Sequence, residues 1–136
     1  MRGEGHRIQF PTFSDIYTMY RGDFSELVDI INRVVQTALF CFDLAAQLKE
    51  NFFFTYAERL QKAVLGFYIN VTEATESSSI EEYLNFMNVT RQSLLETAYI
   101  LSLLNEKNLL CDEVSCKIVN ELEELTLKLG NSQLAA

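Results

Sequence analysis

The chain has 136 residues, of which 49% are hydrophobic and 22% charged, with one proline and five glycines. This composition is typical of one globular domain and excludes collagen and low-complexity or disordered chains, and no apolar run reaches the roughly 18 residues of a membrane span. The formal net charge of −8 argues against tight non-specific binding to phosphates, because that binding grows with the number of cationic contacts.

Residues 1–22 form an N-terminal arm that precedes the first helical pattern. Its apolar side chains are Ile8, Phe10, Phe13, Ile16, Tyr17, Met19 and Tyr20, and its basic side chains are Arg2, Arg7 and Arg21. Pro11 blocks a helix before it, and Thr12 or Ser14 is suited to cap a short helix up to Gly22. Three alternatives stay open for the arm: it packs on its own bundle, docks on a neighbouring subunit or partner, or is disordered.

Four stretches of helical periodicity follow the arm, and none shows the two-residue alternation of a half-buried strand. Apolar residues recur every three or four positions within 24–48, 56–74, 80–104 and 114–129. The links between them, at about 51–54, 77–79 and 105–110, are short and favour antiparallel neighbours. We therefore predict an all-α fold: an antiparallel up-down-up-down four-helix bundle over residues 23–130, with a C-terminal tail at 131–136.

Capping patterns agree with three of the predicted helix starts. The segments 23–26, 55–58 and 78–81 each begin with Asp, Thr or Ser and end with Glu, the pattern of a capping box. For the fourth helix, Asp112 and Glu113 suit the positive end of the helix dipole. Gly130 is the predicted C-terminal stop of that helix.

The side chains present predict no catalytic, cofactor or metal site. The single histidine, His6, lies outside the bundle, so a dimetal motif, a zinc cluster and a histidine-assisted nucleophile all lack a candidate. Cys41, Cys111 and Cys116 are an odd number, which argues against a disulfide framework, and in a reducing cytosol we expect them to be three small buried hydrophobic residues. Residues 1–10 lack the apolar core of a signal peptide. We expect a cytoplasmic, non-enzymatic protein without a small-molecule substrate.

A cationic pair is the first candidate for a contact site. Arg59 and Lys62 lie three residues apart on the second helix and share a face. With Arg2, Arg7 and Arg21 they would form one zone for nucleic-acid or partner contact if the arm folds back there. The alternative is a solvated, salt-bridged face.

Polar residues inside the second and third helices form the second candidate. Asn70 and Glu73 lie in the middle of the second helix, and Arg91 and Glu96 lie in the middle of the third. A contact from Arg91 to Glu73 or Glu96 would satisfy charges between helices. Such an interhelix or subunit polar network more often fixes register or subunit pairing than performs catalysis.

The second and third helices also carry a resemblance to a known family. Residues 56–75 read YAERLQKAVLGFYINVTEAT, with Arg59, Lys62 and Ala63 in a Gln-x-Arg-Arg-Ala-like segment and residues 69–74 in a Ser-Asn-Ile-Ala-Glu-Gly-like segment. Residues 80–96 are similar to a third helix that starts Phe- and Leu-rich and continues Gly-Ser-Leu-x-Glu. Over about residues 24–129 the chain resembles the small four-helix-bundle proteins encoded in intervening sequences of large-subunit ribosomal RNA genes.

The same family includes the accessory variability proteins of diversity-generating retroelements, pentameric barrels that bind a reverse transcriptase and its template RNA. The resemblance therefore implies a homo-oligomer, a pentamer by analogy, that serves as an accessory scaffold for a reverse transcriptase or an RNA–protein complex. Arg59 and Lys62 would be its phosphate contacts. The alternative, suggested by the acidic charge, is a protein–protein adaptor or antitoxin-like partner that binds a basic protein and no RNA.

Overall fold

The computed structural model describes residues 24–131, and the structural statements below concern this part of the chain. Its helices are α1 (Phe24–Glu50), α2 (Phe54–Thr75), α3 (Ile80–Glu106) and α4 (Asp112–Asn131). No strand occurs between residues 24 and 131, so the predicted all-α bundle is confirmed. The predicted arm, its arginines Arg2, Arg7 and Arg21, and the tail beyond Asn131 lie outside the described residues.

The helices pack in chain order around a common core. Each helix contacts the next one along the chain, and α4 also contacts α1, more sparsely than the other pairs contact. The links at 51–53, 76–79 and 107–111 are far too short to carry the chain back along a helix of 20 residues or more. These links favour the antiparallel order that the sequence predicts.

One apolar cluster fills the core, and all four helices contribute to it. The buried positions of α2, α3 and α4 follow the predicted periodicity. On α1 the predicted stripe is confirmed at Leu27, Val34, Ala38, Ala45 and Leu48, which are buried, but Leu39, which the pattern also included, is 55% exposed. Ile30 and Cys41, which the pattern did not include, are fully buried. Because α1 carries more apolar residues than one helix face can bury, its periodicity is compatible with more than one orientation.

The buried polar residues of the described chain are uncharged, and three of them, Ser77, Thr90 and Thr97, donate to nearby backbone carbonyls. The hydroxyls of Thr90 and Thr97 donate to the backbone carbonyls of Phe86 and Ser93, at 2.9 and 2.8 Å, one turn earlier on α3. Burial raises the pKa of the Cys41 thiol to about 12, so this cysteine stays protonated and unreactive at neutral pH. The core therefore offers a rigid apolar support rather than a reactive centre.

Two predicted capping boxes need correction. In α3 the N-cap is Ser79, whose Oγ accepts the Glu82 N–H at 3.1 Å, and the Glu82 carboxylate accepts the Ser78 N–H at 2.8 Å. The box thus forms one residue later than the predicted 78–81, because two adjacent serines offer the same cap. In α2 the N-cap is Phe53, with no side-chain bond, so the predicted 55–58 box is wrong.

The ends of α4 agree with the sequence in part. The helix begins at Asp112, as predicted, with two acidic residues in its first turn. Gly130 does not stop it, because the helix continues through Asn131 and no glycine of the described chain adopts a positive φ. The predicted 23–26 box includes Asp23, which lies outside the described residues.

Two residues after the last residue of α1 and of α3, the chain adopts the left-handed conformation, at Phe52 with φ 69° and at Asn108 with φ 62°. The Phe53 N–H donates to the Leu48 carbonyl at 2.8 Å, and the Leu109 N–H donates to the Leu104 carbonyl at 2.9 Å. These are the long bonds of a Schellman end, which usually employs glycine. Asparagine tolerates this conformation, but a bulky residue pays about 1–2 kcal/mol, and Phe52 is 78% exposed.

We expect the substitution Phe52→Gly to raise the free energy of unfolding by about 0.5–1 kcal/mol, because relief of backbone strain exceeds the entropy that glycine gains in the unfolded chain. Urea denaturation followed by circular dichroism measures the change. Asn108→Gly is the matched control, and its gain should be smaller. A gain at Asn108 equal to or larger than that at Phe52 would contradict the assignment of strain to Phe52.

Candidate interaction surface

The cationic pair of α2 lies on the same side of this helix as Gly66, which packs closely against α3. Arg59 and Lys62 are exposed and share their face of α2 with Gly66, at spacings of three and four residues. A Cβ built on Gly66 would lie only 2.7 Å from the Oγ of Ser93 on α3. The two cations therefore line the α2–α3 edge of the bundle.

The positive charges of Arg59 and Lys62 are not neutralised by an ion pair within the described chain, so both side chains can contact an external partner. The ion pairs within 4.0 Å in the described chain run from Arg33, and neither Arg59 nor Lys62 belongs to one. Glu96 follows Ser93 by one turn on α3 and is also exposed, so an acidic side chain lies on the same edge of the bundle. The edge is a mixed-charge surface with two solvent-exposed cations rather than a broad basic patch.

Of the proposed polar network, the structure shows local bonds only. The Asn70 amide donates to the Gly66 carbonyl at 2.7 Å within α2, and Arg91 donates to Asn88 Oδ1 at 3.3 Å within α3. Glu73 and Glu96 are exposed, and neither forms an ion pair with Arg91 within residues 24–131.

The direction of the Arg91 side chain explains the missing contact. Its Nη1 lies 4.0 Å from the position that a Cβ would take on Gly130, so the guanidinium extends toward the end of α4. Glu73 belongs to α2, on the other side of α3. The predicted contact between Arg91 and Glu73 or Glu96 is therefore not made within the chain, and a role of Asn70, Glu73, Arg91 and Glu96 in subunit pairing stays a prediction.

The interhelix ion pair that does form was not predicted. Arg33 of α1 donates from Nε and Nη2 to the two carboxylate oxygens of Glu121 on α4, at 3.0 and 2.7 Å, and Nη2 lies 3.3 Å from Glu124. The hydrogen bond to Glu121 raises the pKa of Arg33. The signal in the sequence was the acidic run in α4, but the partner of that run depends on the α1–α4 register, which periodicity does not give.

An apolar stripe on α3 is a prominent exposed feature. Leu95, Tyr99 and Leu103 follow each other at four-residue intervals and are 50%, 78% and 39% exposed. We call these three residues the α3 stripe. On α2, Leu65 and Ile69 have the same spacing and are also exposed. Contiguous apolar surface on a folded chain marks an interaction site more often than isolated apolar residues do.

Thiols and potential metal ligands are scattered over the same part of the chain. No group of three or more His, Cys, Asp or Glu side chains between residues 24 and 131 is arranged to hold a metal ion. The three cysteines are free, and the prediction that all three are buried is confirmed for Cys41 and wrong for Cys111 and Cys116, which are exposed. Each helix from α1 to α4 is too short or too polar to cross a membrane.

These features define an all-α bundle whose exposed surface includes an apolar stripe and a cationic pair. The family model of the 23S rRNA-intervening sequence protein matches residues 26–131, which include nearly all of the four helices, and the chain belongs to this family. No curated protein and no solved structure matches the chain significantly. The resemblance noted in the sequence is thus confirmed for the family, and its link to diversity-generating retroelements stays a prediction.

The Arg33–Glu121 pair leads to a stability prediction. Both side chains are partly exposed, so we expect Arg33→Gln to lower the free energy of unfolding by only about 0.5–1 kcal/mol, and less in high salt. Urea denaturation of Arg33→Gln, Glu121→Gln and the double variant gives the coupling energy between them. Lys49→Gln, at an exposed lysine of α1, is the control. Additive effects of the two single changes would show that the pair does not couple α1 to α4.

Proposed function

We propose that this chain is a non-enzymatic, homo-oligomeric scaffold subunit of an RNA–protein complex. The observation that carries the proposal is the α3 stripe, since Leu95, Tyr99 and Leu103 remain exposed although α3 already contributes a full stripe to the core. The RNA side of the proposal rests on the resemblance to accessory variability proteins, which bind a template RNA; the name of the matched family refers only to intervening sequences of 23S ribosomal RNA.

The positions of the exposed apolar residues favour a closed ring. A ring requires two different surfaces on each subunit, so that one surface of a copy contacts the other surface of the next. The α3 stripe and the pair Leu65 and Ile69 on α2 are two such surfaces. Burial of a leucine-sized side chain is worth about 1.5–3 kcal/mol, so a few such residues provide substantial association energy. A pentamer is the size suggested by the resemblance.

The cationic pair would supply the RNA contact. The whole chain is acidic, and Arg59 and Lys62 alone would bind a polyanion weakly. In a ring each subunit would repeat the pair, and contacts repeated along one RNA strengthen each other through effective concentration. A reverse transcriptase that works on a bound template RNA is the protein partner that the resemblance suggests.

A second candidate function is an adaptor for a basic protein, and the charge of α4 favours it. This helix carries Asp112, Glu113, Glu121, Glu123 and Glu124 against Lys117 and Lys128. An acidic face of this kind accelerates and orients the docking of a cationic partner, and such binding weakens as salt rises.

We expect Tyr99→Asp to shift the mass of the native protein from the oligomer toward the monomer, because it places a charge in the centre of the α3 stripe. Native mass spectrometry measures the distribution, and circular dichroism verifies that the variant is folded. Leu127→Asp, at a residue of α4 that is 65% exposed, is the matched control and should leave the oligomer intact. A wild-type protein that is monomeric, or a Tyr99→Asp variant with unchanged mass, would contradict the proposed interface.

We expect the double variant Arg59→Ala/Lys62→Ala to bind RNA about tenfold or more weakly and to lower the salt dependence of binding by about two phosphate contacts per subunit. Fluorescence anisotropy with an RNA oligonucleotide measures both quantities. The control is Lys49→Ala/Lys107→Ala, which removes the same charge from exposed positions elsewhere. Wild-type protein that binds polylysine but no RNA at moderate salt would favour the adaptor function instead.

A further inference from the structure

A groove lies on the sparsely packed side of the bundle, between α1 and α4. It is a cavity of about 410 Å³ between the second half of α1, the start of α4 and the links that precede α2 and α4. Its apolar lining includes Phe40, Leu44, Leu48, Phe53, Leu104 and Val114. A second cavity of about 380 Å³ adjoins it at Phe40 and Val114 and extends to Ile118. We call the two cavities together the α1–α4 groove.

We propose that the N-terminal arm of the same chain folds back along the α1–α4 side and packs Ile8, Phe10 and Phe13 into the α1–α4 groove. The arm is rich in aromatic and aliphatic residues, and the groove is lined by side chains of the same kind. Burial of such surfaces against each other is favourable by about 25 cal/mol per Å² of apolar area.

The length of the arm matches the distance that it has to cover. From Phe24, where α1 begins, to Leu44 in the groove the helix rises about 30 Å. An extended chain covers about 3.3 Å per residue, so a fully extended arm reaches Leu44 near Asp15 and Leu48, about 36 Å along α1, near Phe13. If residues 14–22 form a helix instead, they cover about 13 Å, and the arm reaches Leu44 near Pro11 and Leu48 near Gln9. Phe13 therefore arrives at the groove in both cases, and Phe10 and Ile8 arrive there when residues 14–22 are helical.

Charges at the rim of the groove complement the arm. Beyond Ile8 the chain continues to Arg7 and Arg2, and the groove ends at Cys111, next to Asp112 and Glu113 of α4. Opposite charges at this end favour one direction of the arm over the reverse one. The apolar residues would provide the binding energy, and the arginines would set the direction.

A tether favours the chain's own arm over that of a second copy. The arm is covalently joined to α1, one wall of the groove, so its effective concentration at the groove is in the millimolar range for a short flexible connection. A second copy would have to reach a comparable concentration in solution. The proposal goes beyond the scaffold function and stands independently of it, because it concerns contacts within one chain.

Cysteine cross-linking of the full-length protein tests this proposal. Cys111 lines the groove, Cys116 is exposed on α4 about 140° further around the helix, and buried Cys41 does not react. One variant carries Thr12→Cys with Cys116→Ser, which leaves Cys111 as the partner. The matched control carries Thr12→Cys with Cys111→Ser, which leaves Cys116. Both are treated with a short bismaleimide and analysed by denaturing electrophoresis and peptide mass spectrometry.

We expect a cross-link between residues 12 and 111 within one chain, with a yield about fivefold or more above that of the control. Equal yields for Cys111 and Cys116, or no cross-link in either variant, would overturn the proposal. A cross-linked dimer joined through residues 12 and 111 would also overturn it, since it would assign the groove to the arm of a second copy.

A labelling measurement in the natural cysteine background gives an independent readout. If the arm covers the groove, Phe10→Asp/Phe13→Asp should speed the reaction of Cys111 with a small maleimide several-fold and leave the rate at Cys116 unchanged. The rates are resolved by mass spectrometry of the labelled peptides. Unchanged labelling of Cys111, or equal acceleration at both cysteines, would contradict the proposed contact.

Discussion

The architecture depends on one constraint: in a bundle of four helices, each helix can bury one stripe of side chains in the shared core. α1 and α3 carry more apolar residues than one stripe holds. The excess on α3 remains exposed as Leu95, Tyr99 and Leu103, and the excess on α1 includes Leu39 and Phe40. The surfaces that suggest a function are thus the apolar residues that the core of a single chain has no room for.

The periodicity of the sequence was sufficient to predict four helices and most of the core, because apolar positions such as Leu60, Phe67 and Leu94 repeat at helical spacing. It was insufficient for α1, because several rotations of this helix would bury a similar number of side chains. Leu39, which the periodicity assigned to the core, is exposed. The sequence patterns also failed to predict two helix ends. The helix α2 starts without a side-chain cap, and Phe52, just after α1, adopts the left-handed conformation that usually indicates glycine. These ends depend on the course of the links, which local patterns do not encode.

Candidate site residues were predictable only as positions on a helix. That Arg59 and Lys62 share an exposed face follows from their spacing alone. The contacts of Arg91 depend on how the helices are rotated relative to each other. Its side chain extends toward Gly130 on α4 rather than toward α2. Arg33 and Glu121 are 88 residues apart in the sequence, so their pairing required the α1–α4 register. Sequence patterns therefore predict positions on one helix but do not predict contacts between helices.

If the proposed contacts form, the coverage of the two apolar surfaces left by the core depends differently on protein concentration. A groove covered by a tethered segment of the same chain is covered at every concentration, because the effective concentration is fixed by the connection to α1. The α3 stripe, if covered by another copy, becomes exposed as the protein is diluted. A dissociated subunit would then present the α3 stripe while its groove stays closed, which confines assembly to one pair of surfaces. Such a division of roles protects a ring-forming subunit from open-ended association.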